Sequence, residues 1–118
     1  MLPVEASHLH LWSPETPHLY DLTLRLKSGE QVLDAIQSYV GMRKIAIEDG
    51  RVLLNNQPYY MRLVLDQGYH PDGLLTFPSD EALRHDIELT KALGFNGARK
   101  HQKVEDPRYL YWADKLGL

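Results

Sequence analysis

Hydrophobic and polar residues alternate along the first two-thirds of the chain. Between residues 20 and 26 every second side chain is apolar, and polar side chains occupy the positions between them. This period of two predicts a strand with one buried face. Lys27-Ser28-Gly29-Glu30 predicts a hairpin turn, and residues 31–40 are expected to return antiparallel to the first strand.

Further short apolar stretches follow, each separated from the next by turn residues. Asp49-Gly50 is a strong signal for a two-residue hairpin between the strands predicted at residues 43–48 and 52–54. Asn55-Asn56-Gln57-Pro58 predicts another turn, followed by an apolar strand over residues 59–65. This succession of strands and short turns is typical of an antiparallel sandwich.

The last third of the chain has a helical period instead. Ser79 is a suitable N-cap, and the apolar side chains after it recur at helical spacing until Gly94, which suits the position after a helix. Residues 95–99 predict a short strand, and Asp106-Pro107 begins a second helix that Gly117 ends. With the strand before them, these elements predict a parallel sheet with right-handed helical crossovers.

Two strand–helix units do not make a closed fold. They cannot complete a barrel or cover both faces of an open sheet, so a strand edge and an apolar face would stay exposed. We therefore expect this chain to be one piece of a larger fold.

Composition narrows the possible function classes. The 118 residues are 43% hydrophobic and 25% charged with a formal net charge of −3, which is typical of a soluble globular protein and not of a nucleic-acid-binding one. No cysteine is present, so disulfides and thiolate chemistry are excluded. Neither a signal peptide nor a membrane span is indicated, and a cytoplasmic protein is expected.

The six histidines do not form a recognisable metal motif. His8 and His10 stand two positions apart and the others are dispersed, with no HExxH sequence and no Cys/His cluster. The basic stretch over residues 100–103 is too short to indicate a nucleic-acid site and is interpreted as a solvated loop. We expect neither a metal nor another cofactor.

Four stretches rich in glycine, proline and aromatic residues occur in order along the chain. They are residues 11–20 (LWSPETPHLY), 41–45 (GMRKI), 54–62 (LNNQPYYMR) and 94–99 (GFNGAR), the last followed by a helix ending in residues 114–118 (DKLGL). Together they resemble the motifs LWSPExPxLY, GFRxI, LNGKPxxLRG, GxNxxR and D-xx-GL of glycoside hydrolase family 2, the β-galactosidase and β-glucuronidase family. Each motif alone is weak, but the ordered set is specific.

The resemblance implies an α+β fragment with parts of two domains. Residues 1–54 would be the C-terminal part of an immunoglobulin-like β-sandwich domain. Residues 55–118 would be the N-terminal, incomplete part of a TIM-barrel catalytic domain, supplying the first two βα units of its (β/α)8 barrel.

The same resemblance implies a retaining glycosidase that hydrolyses O-glycosyl bonds of β-galactoside or β-glucuronide type. Such enzymes use two carboxyl groups roughly 5–5.5 Å apart, one as acid/base and one as nucleophile. In this family both are glutamates that follow the fourth and seventh barrel strands. No residue of this chain matches either position, so no catalytic residue is assigned and the chain alone is expected to be inactive.

Substrate-binding candidates stand where barrel strands would end, since a barrel places its active site there. Arg99 matches an active-site arginine of the family and is the strongest candidate, with a structural ion pair as the alternative. The family usually has Gly-Val-Asn-x-His after the first barrel strand and Arg-x-Ser-His after the second. The residues present there differ, so an altered sugar preference or a subgroup with its own pocket is expected. The further candidates are Asp66, Gln67, Tyr69, His101 and Gln102.

A second function class stays open at this point. The β-rich half could serve as a non-catalytic module that binds a carbohydrate or a protein. The expected partners are a carbohydrate substrate in the full-length enzyme, and either a second copy of the chain or the rest of the barrel at the open sheet edge. No nucleic acid and no membrane is expected.

Overall fold

The computed structural model describes residues 5–118, and the N-terminal segment in which the sequence indicates no signal peptide lies largely outside that range. A short 3₁₀ turn precedes strands and helices that fall into three small sheets and one helix pair. In chain order the elements are the 3₁₀ turn Ala6–His8, β1 (Tyr20–Ser28), β2 (Gln31–Val40), β3 (Ile45–Glu48), β4 (Arg51–Leu54), β5 (Gln57–Pro58), β6 (Leu63–Asp66), α1 (Asp80–Ala92), β7 (Gly97–Lys100) and α2 (Pro107–Leu116).

Strands β1 and β2 form the expected antiparallel hairpin. Their register runs from Tyr20 opposite Val40 to Ser28 opposite Gln31, so the turn is shorter than the predicted four residues. The prediction of a buried face is wrong for most of the hairpin, because Leu24 and Leu26 are 53% and 63% exposed. The described residues cover only the Tyr20 end of that face, where the Tyr20 ring lies 4.6 Å from that of His18.

Two tight turns connect β3, β4 and β5. Asp49 and Gly50 both have positive φ, at 49° and 71°, which is the backbone of a type I′ hairpin, and the predicted hairpin is confirmed. Asn55 and Asn56 also have positive φ, at 53° and 65°. The turn predicted over residues 55–58 is therefore only two residues long, and β5 occupies its second half.

The strand predicted over residues 59–65 is wrong in its first half, since β6 begins at Leu63. The side chain of Asn96 takes the place of a partner strand there. Its Oδ1 accepts from the main-chain nitrogen of Arg62 at 2.7 Å, and its Nδ2 donates to the main-chain oxygen of Tyr60 at 2.9 Å. These bonds hold residues 60–62 beside β7 without a ladder.

The predicted parallel pairing is confirmed. Strand β6 pairs with β7 in parallel, from Leu63 opposite Gly97 to Asp66 opposite Lys100, and α1 connects the two strands. Strand β7 occupies residues 97–100 instead of the predicted 95–99. The register matters for function because it brings the carboxyl ends of both strands to the same edge.

Both helices begin and end where local signals predict. The Ser79 side chain accepts from the main-chain nitrogen of Ala82 at 3.1 Å, and Asp106 caps α2 in the same way through the nitrogen of Arg108. Gly117 ends α2 with a left-handed φ of 82°. None of the helices in the described part of the chain is long and apolar enough to cross a membrane.

The core is small and lies mainly between the helices and the loop before α1. Half of the stripe predicted on α1 is buried, but Leu89 and Leu93 are 48% and 68% exposed because no described element covers them. Leu63 and Leu65 of β6 are exposed on the sheet face opposite the helices. The buried cluster consists of Phe77, Leu83, Ile87, Tyr109 and Ala113.

The N-terminal strands are joined to α2 through Trp12 and Asp114. The Trp12 ring is 4% exposed, and its indole nitrogen donates to the main-chain oxygen of Asp114 at 2.8 Å. The Asp114 carboxylate accepts from Tyr39 and from Arg43, each at 3.1 Å, and the Arg43 guanidinium lies 4.5 Å from the centre of the Trp12 ring. The LWSPETPHLY stretch thus contacts the helical half directly.

Candidate functional site

The candidate site lies at the carboxyl ends of β6 and β7. The register places Asp66 opposite Lys100 at the last position of each strand. The ladder continues one step further, because the main-chain nitrogen of His101 donates to the main-chain oxygen of Asp66 at 2.8 Å. The two loops that follow the strands therefore start side by side.

Four ionisable side chains form a charge network beneath these loops, consisting of Asp66, Lys100, Lys103 and Glu105. The Lys100 ammonium is ion-paired with Asp66 and lies 3.0 Å from Glu105 Oε2. Lys103 lies 3.1 Å from Glu105 Oε1. The side chains of Lys100 and Glu105 are only 13% and 4% exposed, so little water screens these pairs.

The network sets the protonation of both carboxylates. Burial by itself raises the pKa of Asp66, but hydrogen bonds from Lys100 and from the main chain of Gly68 outweigh it and hold that pKa below its usual value. Glu105 behaves alike: burial is opposed by the Asp106 amide and by both lysines, and its pKa is lowered. Both groups are therefore carboxylates at neutral pH.

An open cleft of about 360 Å³ lies above the network, lined by the two loops. Four of the predicted substrate-binding residues line it: Gln67, Tyr69, His101 and Gln102. Gln67 Nε2 lies 3.5 Å from His101 Nδ1, so these side chains meet across the two loops, and Tyr69 is 69% exposed. We call this the strand-end cleft, and its remaining lining residues are Leu75 and Lys103.

Asp66 and Arg99 do not line the strand-end cleft. Asp66 lies on the helix-facing side of β6, where its carboxylate is held by Lys100 and by the nitrogen of Gly68 at 2.6 Å. It lines a neighbouring groove of about 390 Å³ that it shares with Gln67 and Tyr69. The structure thus places Asp66 behind the cleft, although the sequence grouped it with the cleft residues.

Arg99 occupies the opposite face of β7 from Lys100, one position before the strand ends. Its side chain is exposed and forms no ion pair with the described residues. The alternative of a structural ion pair is therefore not realised within residues 5–118. Its guanidinium remains available to a carboxylate or a hydroxyl group.

Glu105 and Lys100 are the important residues that sequence reasoning missed. Glu105 was not among the candidate residues, but it is 7% exposed and ion-paired. Lys100 was interpreted as part of a solvated loop. The role of Lys100 becomes visible only in the parallel register, which sets it opposite Asp66. Among the described residues, no cluster of three His, Cys, Asp or Glu side chains is arranged to hold a metal.

Comparison with known proteins finds similarity to one family throughout. The family model for glycosyl hydrolases family 2 matches residues 2–43. A β-galactosidase of Pectobacterium atrosepticum is 34% identical over 118 residues, which is 99% of this chain and 11% of that protein. β-Galactosidase 2 of Enterobacter cloacae is 36% identical over 110 residues, which is 92% of this chain and 10% of that protein. The chain spans about one-tenth of the length of these curated relatives.

A solved structure of a family 2 glycosidase is also similar to this chain. The family 2 β-galacturonidase of Eisenbergiella tayi, solved with bound galacturonate, matches 92% of this chain and 19% of its own with 32% identity and a TM-score of 0.83. The arrangement of strands and helices described above therefore occurs within larger proteins of known structure.

Proposed function

This chain is homologous to a segment of the glycosyl hydrolases of family 2, and we propose that it is the part of a retaining β-glycosidase that joins two domains. In this proposal residues 1–54 complete an immunoglobulin-like sandwich, and residues 55–118 begin a (β/α)8 barrel. The parallel β6–α1–β7–α2 unit supports the second half of the assignment. The antiparallel β1–β2 and β3–β4–β5 sheets support the first.

The proposed substrate is a β-linked galactoside or uronide. The observation that carries this proposal is the strand-end cleft, in which Gln67, His101 and Gln102 converge at the carboxyl ends of parallel strands. Amide and imidazole groups both donate and accept hydrogen bonds, as sugar hydroxyls do, and Tyr69 offers an exposed aromatic ring beside them. A barrel uses this end of its strands for substrates.

In the proposed mechanism this segment binds and orients the sugar but performs no bond cleavage. Double displacement requires one carboxylic acid with a raised pKa and one free carboxylate nucleophile roughly 5–5.5 Å away. Asp66 and Glu105 do not suit either role, because lysines hold both as ion-paired carboxylates. Arg99 suits a positioning role, since its exposed guanidinium can hold a carboxylate or a sugar hydroxyl.

The experiment that tests this function is a binding measurement. The ¹⁵N-labelled 118-residue chain is titrated with methyl β-galactoside and methyl β-glucuronide, and chemical-shift changes are mapped. Changes confined to Gln67, Tyr69, His101 and Gln102 would support the proposal. Changes confined to the β1–β2 hairpin would favour the alternative of a non-catalytic carbohydrate-binding module, and no change with either sugar would contradict both.

We also propose that the open barrel edge takes a partner, either a second copy of the chain or the remaining barrel strands. Strand β6 pairs only with β7 among the described residues, and Leu63 and Leu65 stand exposed on one face of this pair. A strand edge and an apolar face together favour pairing with further strands.

A further inference from the structure

Lys100 occupies the point at which the two loops of the strand-end cleft meet the protein interior. It is the last residue of β7, its side chain is 13% exposed, and its ammonium lies 3.7 Å from the centre of the Tyr109 ring. From that position it reaches Asp66 at the end of β6 and Glu105 immediately before the N-cap of α2. A single cation thus connects both strand ends with the second helix.

Asp66 connects Lys100 to both loops through two hydrogen bonds. Its carboxylate accepts the main-chain N–H of Gly68 at 2.6 Å, which fixes the first turn of the loop after β6. Its main-chain oxygen accepts the N–H of His101 at 2.8 Å, which fixes the start of the loop after β7. The cleft residue Gln67 lies between Asp66 and Gly68 in the sequence, and the cleft residue His101 is itself the donor of the second bond.

Replacing Lys100 by an uncharged residue is expected to be costly, because acidic side chains surround its ammonium group. Asp66 and Glu105 approach it from two sides, and Asp86 of α1 lies close enough for its charge and that of Asp66 to repel each other. Without the ammonium, these acidic groups would face one another, and Lys103, which pairs with Glu105, would be the remaining lysine of the network. Breaking a buried pair in this way is costly because an unpaired charge is left in a poorly solvated place.

We propose that Lys100 is a positioning residue for the strand-end cleft: through Asp66 and Glu105 it holds the two cleft loops in register without contacting the sugar itself. The inference rests on the proposed function only for the nature of the ligand, because the coupling of the loops follows from contacts within this chain. Lys100 itself does not line the strand-end cleft.

Lys103 provides the matched control. It binds the same carboxylate, Glu105, at a similar distance, and its ammonium also donates to the main-chain oxygen of Leu75. It makes no ion pair with Asp66. Lys103→Met therefore removes one cation from the same network and keeps the aliphatic stem that lies over Gly68.

The experiment measures amide hydrogen exchange in the full 118-residue chain. In Lys100→Met, exchange at Gly68 and His101 is expected to accelerate by about tenfold or more, because both bonds depend on a fixed Asp66. Amides in the helix caps, such as Ala82 and Gly117, are expected to stay within about twofold of wild type. Lys103→Met should leave His101 unchanged, and Lys100→Arg should restore most of the protection at Gly68 and His101 because it keeps the charge.

Two exchange results for Lys100→Met would overturn the inference. One is a Lys100→Met variant in which Gly68 and His101 exchange as in wild type. The other is a uniform acceleration along the chain, which would mean that Lys100 stabilises the fold without positioning the cleft. If Lys100→Met does not fold, Asp66→Asn is measured instead, because it removes the charge that links Lys100 to the loops. Unchanged exchange at His101 in Asp66→Asn would equally reject the proposal.

A titration with methyl β-galactoside separates this inference from the proposed function. If the wild-type chain binds the sugar, Lys100→Met should raise the Kd by about tenfold, since small displacements of binding groups are expensive. An unchanged Kd would overturn the positioning role. If the wild-type chain binds no sugar, the proposed function fails in this chain, and the exchange rates alone decide whether Lys100 couples the loops.

Discussion

The indole nitrogen of Trp12 donates a 2.8 Å hydrogen bond to the main-chain oxygen of Asp114, and 102 positions of sequence separate the two residues. The carboxylate of the same Asp114 accepts from Tyr39 and Arg43. One helical residue therefore binds Trp12, a residue of β2 and a residue of the connection between β2 and β3. This contact joins the two halves that the sequence assigns to different domains.

Asp114→Ala is expected to destabilise the chain by about 1 kcal/mol, because it removes two hydrogen bonds that are partly screened by water. The bond from Trp12 uses the main-chain oxygen and should persist. Urea unfolding monitored by tryptophan fluorescence measures the change. Asp21→Ala, on the exposed hairpin, is the control and should have almost no effect. Equal stability of both variants would show that the Asp114 carboxylate does not join the halves.

The isolated chain is expected to show no glycosidase turnover. Asp66 and Glu105 are ion-paired, and no residue matches the family's acid/base or nucleophile positions. Chromogenic β-galactosides and β-glucuronides provide the assay, with buffer as the blank and an active family 2 enzyme as the positive control. Hydrolysis above the blank that survives further purification would contradict this prediction.

Arg99→Ala is expected to weaken the binding of methyl β-glucuronide by about tenfold, as for the loss of a hydrogen bond from a charged group. The effect on methyl β-galactoside should be smaller, because that sugar has no carboxylate for the guanidinium. Titration followed by NMR provides both values. Arg25→Ala removes an exposed arginine of the β1–β2 hairpin and should leave both affinities unchanged.

Acid should destabilise the fold through the charge network. The pKa values of Asp66 and Glu105 lie below their ordinary values of 3.8 and 4.5. The folded state therefore favours the ionised form of both side chains more than the unfolded state does. Their contribution is complete above those ordinary values and disappears as the pH falls through the lowered ones. Urea unfolding between pH 6 and pH 2.5, as approximate limits, should show this loss.

The matched variant for that experiment is Glu105→Gln, which cannot be protonated in this range. Its stability should be lower at neutral pH but should change less on acidification than that of the wild type. Parallel curves for wild type and Glu105→Gln would show that Glu105 does not contribute to the acid sensitivity.

Self-association should depend on the open β6–β7 sheet. Leu65 is 59% exposed on the face away from the helices, and Leu65→Lys places a charge there that disfavours close packing. Light scattering at increasing concentration should show association of the wild type and less of it in the variant. Leu26→Lys, on the equally exposed β1–β2 hairpin, serves as control. A wild-type monomer at high concentration would contradict the proposal.

Local signals predicted much of the fold. The Asp49-Gly50 turn, the Ser79 and Asp106 caps and the Gly117 terminus depend on residues within a few positions of each other, and all are confirmed. Hydrophobic period identified both helices for the same reason. The parallel pairing of β6 with β7 followed from the order of the elements.

Features that depend on distant residues were missed or misplaced. The strand predicted from Tyr59 fails because Asn96, far along the chain, binds residues 60–62 with its side chain. The burial of Glu105 depends on Lys100 and Lys103 folding back over it, which no periodicity reveals. The cleft residues were predicted by their position after the strands, but only the register shows that Asp66 lies behind them.

The two left-handed turns of the β3–β4–β5 sheet have a consequence for how the chain folds. Each closes a hairpin between near neighbours, and isolated hairpins form in about 1–10 μs. The Trp12–Asp114 bond instead closes a loop of 102 positions, and contacts between residues so far apart form more slowly than local ones. The β3–β4–β5 sheet is therefore expected to form early, and the contact between the N-terminal segment and α2 is expected to form last.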